Sequence, residues 1–231
     1  TPEAQQTYQT GFVLEVPADA PQDAMALRTG PGWKGWSNPA YSPLPVTFQQ
    51  VRGYFVVGPG DRVEGSRYPW GWEKPDFDDT AWSEAVAGPN AGMRDATDSP
   101  SRWMLVPRPI PAMEEAQEPP MTIRVSEGAA VSTLPFTVPA GGRVRLILDQ
   151  GQLTTAYPEL TVSGGKGAQI RLGYAESLYE KGARRGDKGN RGEVEGKEFI
   201  GYYDEFVLDG GPRRTYRPLW WRTFRFIEMT L

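Results

Sequence analysis

Apolar and polar residues alternate in short runs along the second half of the chain. In one run, Ile170, Leu172 and Tyr174 share one face while Gln169 and Arg171 take the other, which is the period of a half-buried strand. Glycine- and proline-rich turn segments separate the runs. The runs that predict strands after residue 120 are Met121–Val125, Leu134–Val138, Arg143–Leu148, Leu160–Val162, Ala168–Tyr174, Phe199–Leu208 and Arg222–Met229. Because no helical stretch exceeds about ten residues, this half predicts a β-sandwich or jelly roll.

The first half of the chain has a less regular pattern. Val51–Val57 predicts one more strand, which a Gly-Pro-Gly segment ends. Phe77–Trp82 predicts a turn in which Asp78 and Asp79 accept backbone N–H bonds and the two aromatic ends face inward.

A proline-rich segment divides the chain. The alternating prolines of Pro107–Pro111 donate no ladder hydrogen bonds and indicate an extended linker. We therefore predict an all-β chain of two β-sandwich or jelly-roll domains, residues 1–110 and 111–231. Residues 1–50 either complete the first sandwich or belong to a preceding domain.

The composition excludes several kinds of chemistry. The 231 residues include no cysteine and no histidine, which excludes disulfides, Cys/His zinc sites, cysteine nucleophiles and histidine general bases. The 27 glycines and 22 prolines favour turns and short strands. The net charge of −4 provides no electrostatic case for nucleic acid or an anionic membrane as a partner.

The chain also lacks signals for membrane insertion or export. No run approaches the roughly 18 apolar residues of a membrane span. The start, Thr1-Pro2-Glu3, has neither an initiator methionine nor a basic and apolar signal region. We expect a processed or cut-out soluble piece, and the absence of cysteine is compatible with every compartment.

A long connection, Glu176–Glu198, interrupts the strand pattern. Its centre, Lys181–Gly192, is glycine-rich, charged and nearly without apolar residues, so it must run over the surface. A connection longer than about 15 residues in a compact domain is usually either functional or disordered. Both alternatives stay open at this point.

Several polar and aromatic residues suit carbohydrate binding. A pyranose needs an aromatic face for its C–H side and planar carboxylate, amide or guanidinium groups for its hydroxyls. The candidate sugar-binding residues are Asp187, Asn190, Arg191, Tyr203, Asp204, Trp220, Trp221 and Arg222. In a sandwich these segments can converge at one end or at one rim. In the alternative, the two tryptophans are ordinary core and cover aromatics and the loop is only solvated.

Paired carboxylates raise the alternative of a glycosidase, which uses two acids about 5 to 10 Å apart. The adjacent pairs are Asp78/Asp79, Glu114/Glu115 and Asp204/Glu205. Neighbouring residues of a strand point to opposite faces, so Asp204 and Glu205 cannot form one dyad. We therefore assign no catalytic residue.

The composition is compatible with calcium as a cofactor, because calcium takes oxygen ligands and needs no histidine. Asp187 and Asn190 supply two side-chain oxygens within one glycine-containing loop, although the strict acidic calcium-loop pattern is absent. We expect any metal site to involve Asp187 and Asn190.

Short motifs follow one another in a distinctive order between residues 50 and 231. They are Trp70–Trp82, Trp103–Glu114, Tyr157–Leu160, Gly164–Ala168, Tyr174–Glu176, Asn190–Arg191, Tyr203–Phe206 and Leu219–Phe226. In this order they resemble the N-terminal, non-catalytic portion of bacterial α-L-rhamnosidases. Some fragments, such as the Phe77–Trp82 turn, recur in galactose-binding-like sandwiches.

The resemblance implies a β-sandwich that precedes a catalytic barrel and is related to rhamnose-binding modules that use calcium. It implies a secreted or periplasmic parent enzyme, a catalytic domain of the same chain as a partner, and a sugar-binding role for Asp187, Asn190 and Arg191. Arg184 and Arg185 make the loop basic, which suggests that an anionic glycan bearing uronic acid suits the site better than neutral rhamnose.

Three functions remain as hypotheses. The first is a non-catalytic region that binds rhamnose-containing or uronate-containing oligosaccharides or polysaccharides. The second is a structural scaffold for a catalytic domain, in which the tryptophans are fully packed. The third is a small independent glycosidase or lyase.

Overall fold

The computed structural model describes residues 11–17, 19–53, 55–88, 109–119, 121–182 and 186–231. Thirteen strands are formed by these residues: β1 (Lys34–Gly35), β2 (Tyr41–Leu44), β3 (Gly60–Glu64), β4 (Ser83–Glu84), β5 (Thr122–Glu127), β6 (Arg145–Ala156), β7 (Leu160–Val162), β8 (Gln169–Ala175), β9 (Tyr179–Glu180), β10 (Lys197–Glu198), β11 (Tyr202–Val207), β12 (Arg214–Tyr216) and β13 (Arg222–Thr230). The helical elements among them are α1 (Phe48–Val51) and single 3₁₀ turns at Ala24–Leu27 and Gly65–Arg67.

The chain forms two compact units. One contains Asn38–Pro69 and Gln117–Leu231, and the other takes its described residues from Glu3–Ser37 and Trp70–Ala116. In the second unit, β1 and β4 form a short antiparallel pair. The domain boundary at residues 110 and 111 stays a prediction, although strands from both sides of it pair within the first unit.

A seven-stranded sheet dominates the first unit. Its strand order is β2-β3-β11-β8-β13-β6-β5, and every pair is antiparallel except β3 with β11. The buried side chains of Ile147 and Phe226 on its central strands pack with Leu178 and Val194, which lie in the long connection. The connection is therefore anchored to the core at two points, and Tyr179, next to Leu178, is buried as well.

A smaller sheet covers part of this large sheet. Strands β7 and β12 pair antiparallel, and the Tyr216 ring stacks on Phe206 of β11 with ring centroids 5.5 Å apart. Both rings are buried. The predicted all-β, sandwich-type fold is confirmed.

Two predicted strands are wrong. Leu134–Val138 forms no strand, because Pro135 has no N–H to donate to a ladder. At the start of Val51–Val57 the chain forms the end of α1, whose first turn is stabilised by a capping box between Thr47 and Gln50. The nearby strand, β3, begins only at Gly60, after Pro59.

The predicted turn at Phe77–Trp82 is confirmed. The Asp78 carboxylate accepts hydrogen bonds from the Thr80 N–H at 3.1 Å and the Thr80 hydroxyl at 2.7 Å. The rings of Phe77 and Trp82 meet edge to face, with centroids 5.7 Å apart. The Asp79 side chain differs from the prediction, because it pairs with the Lys34 ammonium at 2.7 Å instead of a backbone N–H.

Other predicted features lie outside the described residues, namely Pro107 and Arg108 of the linker, Arg184 and Arg185 of the loop, and the first half of the Trp103–Glu114 motif. Within the described ranges, no helix has the length and apolar character needed to span a membrane.

Candidate functional site

The candidate site lies at one end of the seven-stranded sheet. At this end β6 stops where Ala156 pairs with Arg222, and β8 stops where Ala175 pairs with Phe226. The strands β3, β11 and β13 begin there. The long connection and the Trp220–Trp221 segment therefore leave the sheet from the same end.

A buried ion pair forms the base of this end. Asp204 and Arg222 are each 1% exposed. The Asp204 Oδ1 accepts a hydrogen bond from Arg222 Nη2 at 2.7 Å, and its Oδ2 accepts one from Arg222 Nε at 3.0 Å. The Tyr174 hydroxyl donates to Oδ2 at 2.6 Å, and the Asp61 N–H donates to Oδ1 at 2.7 Å. Both oxygens of Asp204 are thus occupied by protein donors.

A second carboxylate extends the network towards the surface. Asp61 Oδ2 lies 3.3 Å from Arg222 Nη2 and accepts the Leu219 N–H at 2.8 Å. Burial is the main cause that raises the pKa of Asp61 above its ordinary value. The network therefore holds the backbone immediately before Trp220.

The environment of the ion pair shifts the pKa values of Arg222 and of two neighbouring tyrosines upwards. Burial opposes the charge of Arg222, but the hydrogen bonds and negative charge of Asp204 outweigh it and raise the pKa of Arg222. Burial, reinforced by Asp204, raises the pKa of Tyr174, and burial raises the pKa of Tyr202 to about 12. These groups do not titrate near neutral pH, and they serve as fixed donors and acceptors.

Two indoles precede the buried arginine. The Trp220 and Trp221 rings lie against each other with centroids 4.2 Å apart and an interplanar angle of 33°. Trp220 remains 43% exposed. On the neighbouring strand, Tyr157 follows Ala156, the register partner of Arg222. Tyr157, Trp220 and Trp221 therefore all lie next to the paired ends of strands β6 and β13.

Charged side chains border the aromatic residues. The Arg217 guanidinium lies over the Tyr157 ring, 4.4 Å from its centroid, and 3.4 Å from a carboxylate oxygen of Glu159. We call the set Tyr157, Glu159, Arg217, Trp220 and Trp221 the aromatic ledge. It combines flat apolar faces with a guanidinium and a carboxylate, which are the groups that bind the faces and hydroxyls of a sugar.

The predicted loop residues occupy different environments. The Asn190 amide donates to Glu193 Oε1 at 3.0 Å, and its Oδ1 accepts the Gly192 N–H at 3.0 Å. Arg191 forms an exposed ion pair with Glu176 at 3.2 Å. The Asp187 side chain is exposed, and its carbonyl accepts the Glu180 N–H at 3.2 Å.

The loop also approaches strand β13. Gly192 lies against the guanidinium of Arg225, because a side-chain carbon at residue 192 would be 3.4 Å from Arg225 Nη1. Arg225 in turn hydrogen-bonds to the buried carboxylate of Asp149 at 2.9 Å, and Arg124 donates to the same carboxylate at 2.7 Å.

The predicted site residues therefore fall into separate groups. Asp204 and Arg222 lie inside the protein, whereas Trp220 and Trp221 lie on the ledge. Tyr203 lies on the opposite sheet face to Asp204, with the Arg171 guanidinium 4.1 Å from its ring centroid. Direct sugar binding by Asp204, Arg222 and Tyr203 stays a prediction, and the contacts of the first two favour a positioning role.

The carboxylate pair on β11 faces arginines on both sides of the sheet. Asp204 contacts Arg222, while the buried Glu205 contacts Arg62 and lies 3.6 Å from Arg171. This arrangement follows from the alternation of side chains along a strand.

Among the described residues, the geometry around Asp187 and Asn190 does not provide a calcium site. Asn190 Oδ1 already accepts a backbone N–H. In the part of the chain that the structure describes, no three Asp, Glu, His or Cys side chains come close enough to hold a metal ion. Because calcium takes six to eight oxygen ligands, these two residues do not fit it by themselves, and no chemistry is assigned through a metal.

Two residues of the site were missed by the sequence analysis. Asp61 stands beside a Gly-Pro-Gly turn, and only strand pairing brings it next to Arg222. Lys197 lies in a charged run that indicates solvent exposure, yet its side chain is 2% exposed. No local signal in the sequence distinguishes either residue from ordinary surface charges.

Comparison with known proteins supports the resemblance. Residues 141–231 match the family model of the bacterial alpha-L-rhamnosidase concanavalin-like domain. The similarity that the motifs indicated is therefore confirmed, and the match includes the long connection, β11 and β13. No match among curated proteins was found for the chain.

Solved α-L-rhamnosidase structures are also similar to this chain. The Streptomyces avermitilis enzyme complexed with L-rhamnose has 25% identity over 74% of this chain, with a TM-score of 0.37. The enzymes from Dictyoglumus thermophilum and Aspergillus terreus have 22% and 17% identity over the same share, each with a TM-score of 0.38. This chain covers 14% of the first structure and 16% of each of the others.

Proposed function

We propose that this chain is the non-catalytic, carbohydrate-binding region of a rhamnosidase-like glycoside hydrolase. The family match of residues 141–231 supports the relationship to that enzyme class. In this proposal the parent enzyme is secreted or periplasmic, and its catalytic domain is a partner of the region. The ligand is an oligosaccharide or polysaccharide that contains L-rhamnose or a uronate.

The exposed Trp220 ring is the observation that carries the proposal. A large apolar ring that is 43% exposed gains free energy when a ligand buries it. Trp221 supports it from one side, and the buried Arg222 holds the adjoining backbone. A ring held in this way binds a sugar with little loss of conformational entropy.

The charges of the ledge favour hydroxylated and anionic sugars. Arg217 has a planar guanidinium that pairs well with a carboxylate, such as that of a uronate. Glu159 accepts hydrogen bonds from hydroxyls but repels an anion. Since Arg217 Nη1 lies 3.4 Å from Glu159 Oε1, a uronate that contacts Arg217 comes close to the Glu159 charge, whereas a neutral rhamnose can use both groups.

Isothermal titration calorimetry tests the proposal. The wild-type protein is titrated with L-rhamnose, rhamnose oligosaccharides and uronate oligosaccharides. Trp220→Ala should weaken the binding about tenfold, because it removes the stacking face. Trp36→Ala is the matched control, since Trp36 is 40% exposed, stacks on Trp82 and lies in the other compact unit.

The same titrations also test whether binding depends on calcium. Heat of binding that disappears with EDTA and returns with calcium supports a calcium-dependent site, and binding that EDTA leaves unchanged opposes it. Absence of binding to every sugar, or equal weakening by Trp220→Ala and Trp36→Ala, contradicts the proposed function.

A scaffold role is the second candidate. Leu219, beside Trp220, is 66% exposed and offers no polar side-chain group to a sugar. An apolar pair of this kind also suits contact with a catalytic domain of the parent chain. In that case acrylamide quenches Trp220 less in the full-length parent than in this region, and sugars leave the quenching unchanged in both.

A further inference from the structure

The described part of the long connection is arranged around one ammonium group. Lys197 Nζ donates to the carbonyl oxygens of Lys188 at 2.8 Å and Asn190 at 2.5 Å. It also lies 3.1 Å from Glu180 Oε1 and 3.8 Å from Glu193 Oε2. Two carbonyls and two carboxylates thus surround a single positive charge.

This ammonium is buried although the oxygens around it belong to a surface loop. The Lys197 side chain is 2% exposed, whereas those of Glu180 and Glu193 are largely accessible. A buried charge is tolerated when it is paired and hydrogen-bonded. Lysine has three N–H donors, and the two carbonyls and the Glu180 carboxylate match that number.

The central part of the loop has few apolar contacts of its own. The buried Leu178, Tyr179 and Val194 anchor its two ends, where β9 also pairs with β10, and the residues between these ends are mostly polar or glycine. Gly189, with a φ of +50°, lies so close to the Glu180 carboxylate that a side chain there would overlap it. A side chain at residue 189 would therefore displace the carboxylate from its present position beside the ammonium.

We infer that the Lys197 ammonium occupies the place of a structural cation in this loop and orders it without a bound metal ion. Backbone carbonyls and carboxylates are the ligands that a calcium-binding loop offers to its ion. Here the chain supplies the positive charge itself. This inference concerns the ordering of the loop; the use of Asn190 and Arg191 for sugar binding rests on the proposed function.

Hydrogen exchange followed by mass spectrometry or NMR tests the inference without any sugar. The reporter amides are those of Glu180, Gly192 and Glu193, whose N–H groups bond within the loop. Lys197→Met keeps the aliphatic chain and removes the charge, and should speed exchange at these amides about tenfold or more. The amides of β6 should keep their protection and show that the fold is intact.

Matched variants isolate the role of the ammonium. Lys181→Met removes an exposed lysine near the same loop and should leave exchange unchanged. Glu180→Gln keeps Lys197 but weakens one side of its oxygen shell, and should speed exchange less than Lys197→Met does. If Lys197→Met fails to fold, Glu180→Gln still tests the inference.

The metal-free state of the loop is tested on the wild-type protein. Dialysis against EDTA should leave exchange at the reporter amides unchanged. Faster exchange after EDTA treatment, reversed by calcium, would overturn the inference. So would unchanged exchange in folded Lys197→Met, or in Glu180→Gln. None of these results depends on sugar binding, so the proposed function can fail while this inference stands.

Discussion

Arg222 contacts both carboxylate oxygens of Asp204 inside the protein, through Nη2 at 2.7 Å and Nε at 3.0 Å. The two residues belong to strands β13 and β11, which β8 separates in the sheet. Their pairing therefore spans three strands, and Tyr174 of the intervening β8 donates to the same carboxylate. The pair fixes the end of the sheet from which Trp220 and Trp221 extend.

Arg222→Met should destabilise the fold strongly. The substitution leaves the Asp204 carboxylate buried without its counter-charge, which typically costs about 3–5 kcal/mol. Urea denaturation measures the loss. The control, Arg191→Met, breaks an exposed ion pair with Glu176 and should cost no more than about 1 kcal/mol. Similar losses in the two variants would contradict the importance of the buried pair.

Gly60→Ala should also destabilise the sheet, for a steric reason. A side-chain carbon at residue 60 would overlap the carbonyl oxygen of Tyr203, so strands β3 and β11 must separate. We expect a loss of about 1–3 kcal/mol or more in the free energy of unfolding. Gly58→Ala is the matched control, because nothing lies within 4 Å of the added carbon. Equal denaturation midpoints for both variants would refute the prediction.

Asp149 should make stability depend on acid pH. Burial alone would raise its pKa, but hydrogen bonds from Arg225, Gly151 and Arg124 outweigh burial and hold the pKa of Asp149 below its ordinary value. A carboxyl with a lowered folded-state pKa stabilises the fold above its unfolded pKa of about 3.9. That contribution is lost as the pH falls through the folded-state pKa.

Asp149→Asn tests whether the Asp149 charge stabilises the fold at neutral pH and loses this effect in acid. The difference in unfolding free energy between wild type and variant should be largest near neutral pH and should shrink as the pH falls below about 4. Urea denaturation at a series of pH values measures the difference. A difference that stays constant, or grows towards acid pH, would show that the Asp149 charge does not stabilise the fold.

Bound sugar should shield Trp220 from solvent. Acrylamide quenching of indole fluorescence should decrease when a rhamnose or uronate oligosaccharide is added to wild type, because Trp220 is 43% exposed without ligand. The decrease should be absent in Trp220→Phe and retained in Trp36→Phe. A sugar-dependent decrease that persists in Trp220→Phe would place the binding surface away from the ledge.

The alternation of apolar residues was sufficient to predict the central strands. The patterns in 168–174, 199–208 and 222–229 correspond to β8, β11 and β13, because a strand buried on a face must repeat its apolar positions every second residue. The prediction failed at Leu134–Val138, where apolar residues stand beside prolines that cannot complete a ladder. Apolar character alone does not provide hydrogen-bond donors.

The sequence by itself determined the all-β class, the excluded chemistry and the candidate aromatic residues, since these depend on composition and on neighbours in the chain. Only the tertiary structure decided which charges are buried. The candidate sugar-binding residues Asp204 and Arg222 pair with each other inside the protein, and the Lys197 side chain is buried within a charged segment. The reason is that burial depends on which strands become neighbours, and residues 61, 174, 204 and 222 meet only after the sheet has formed.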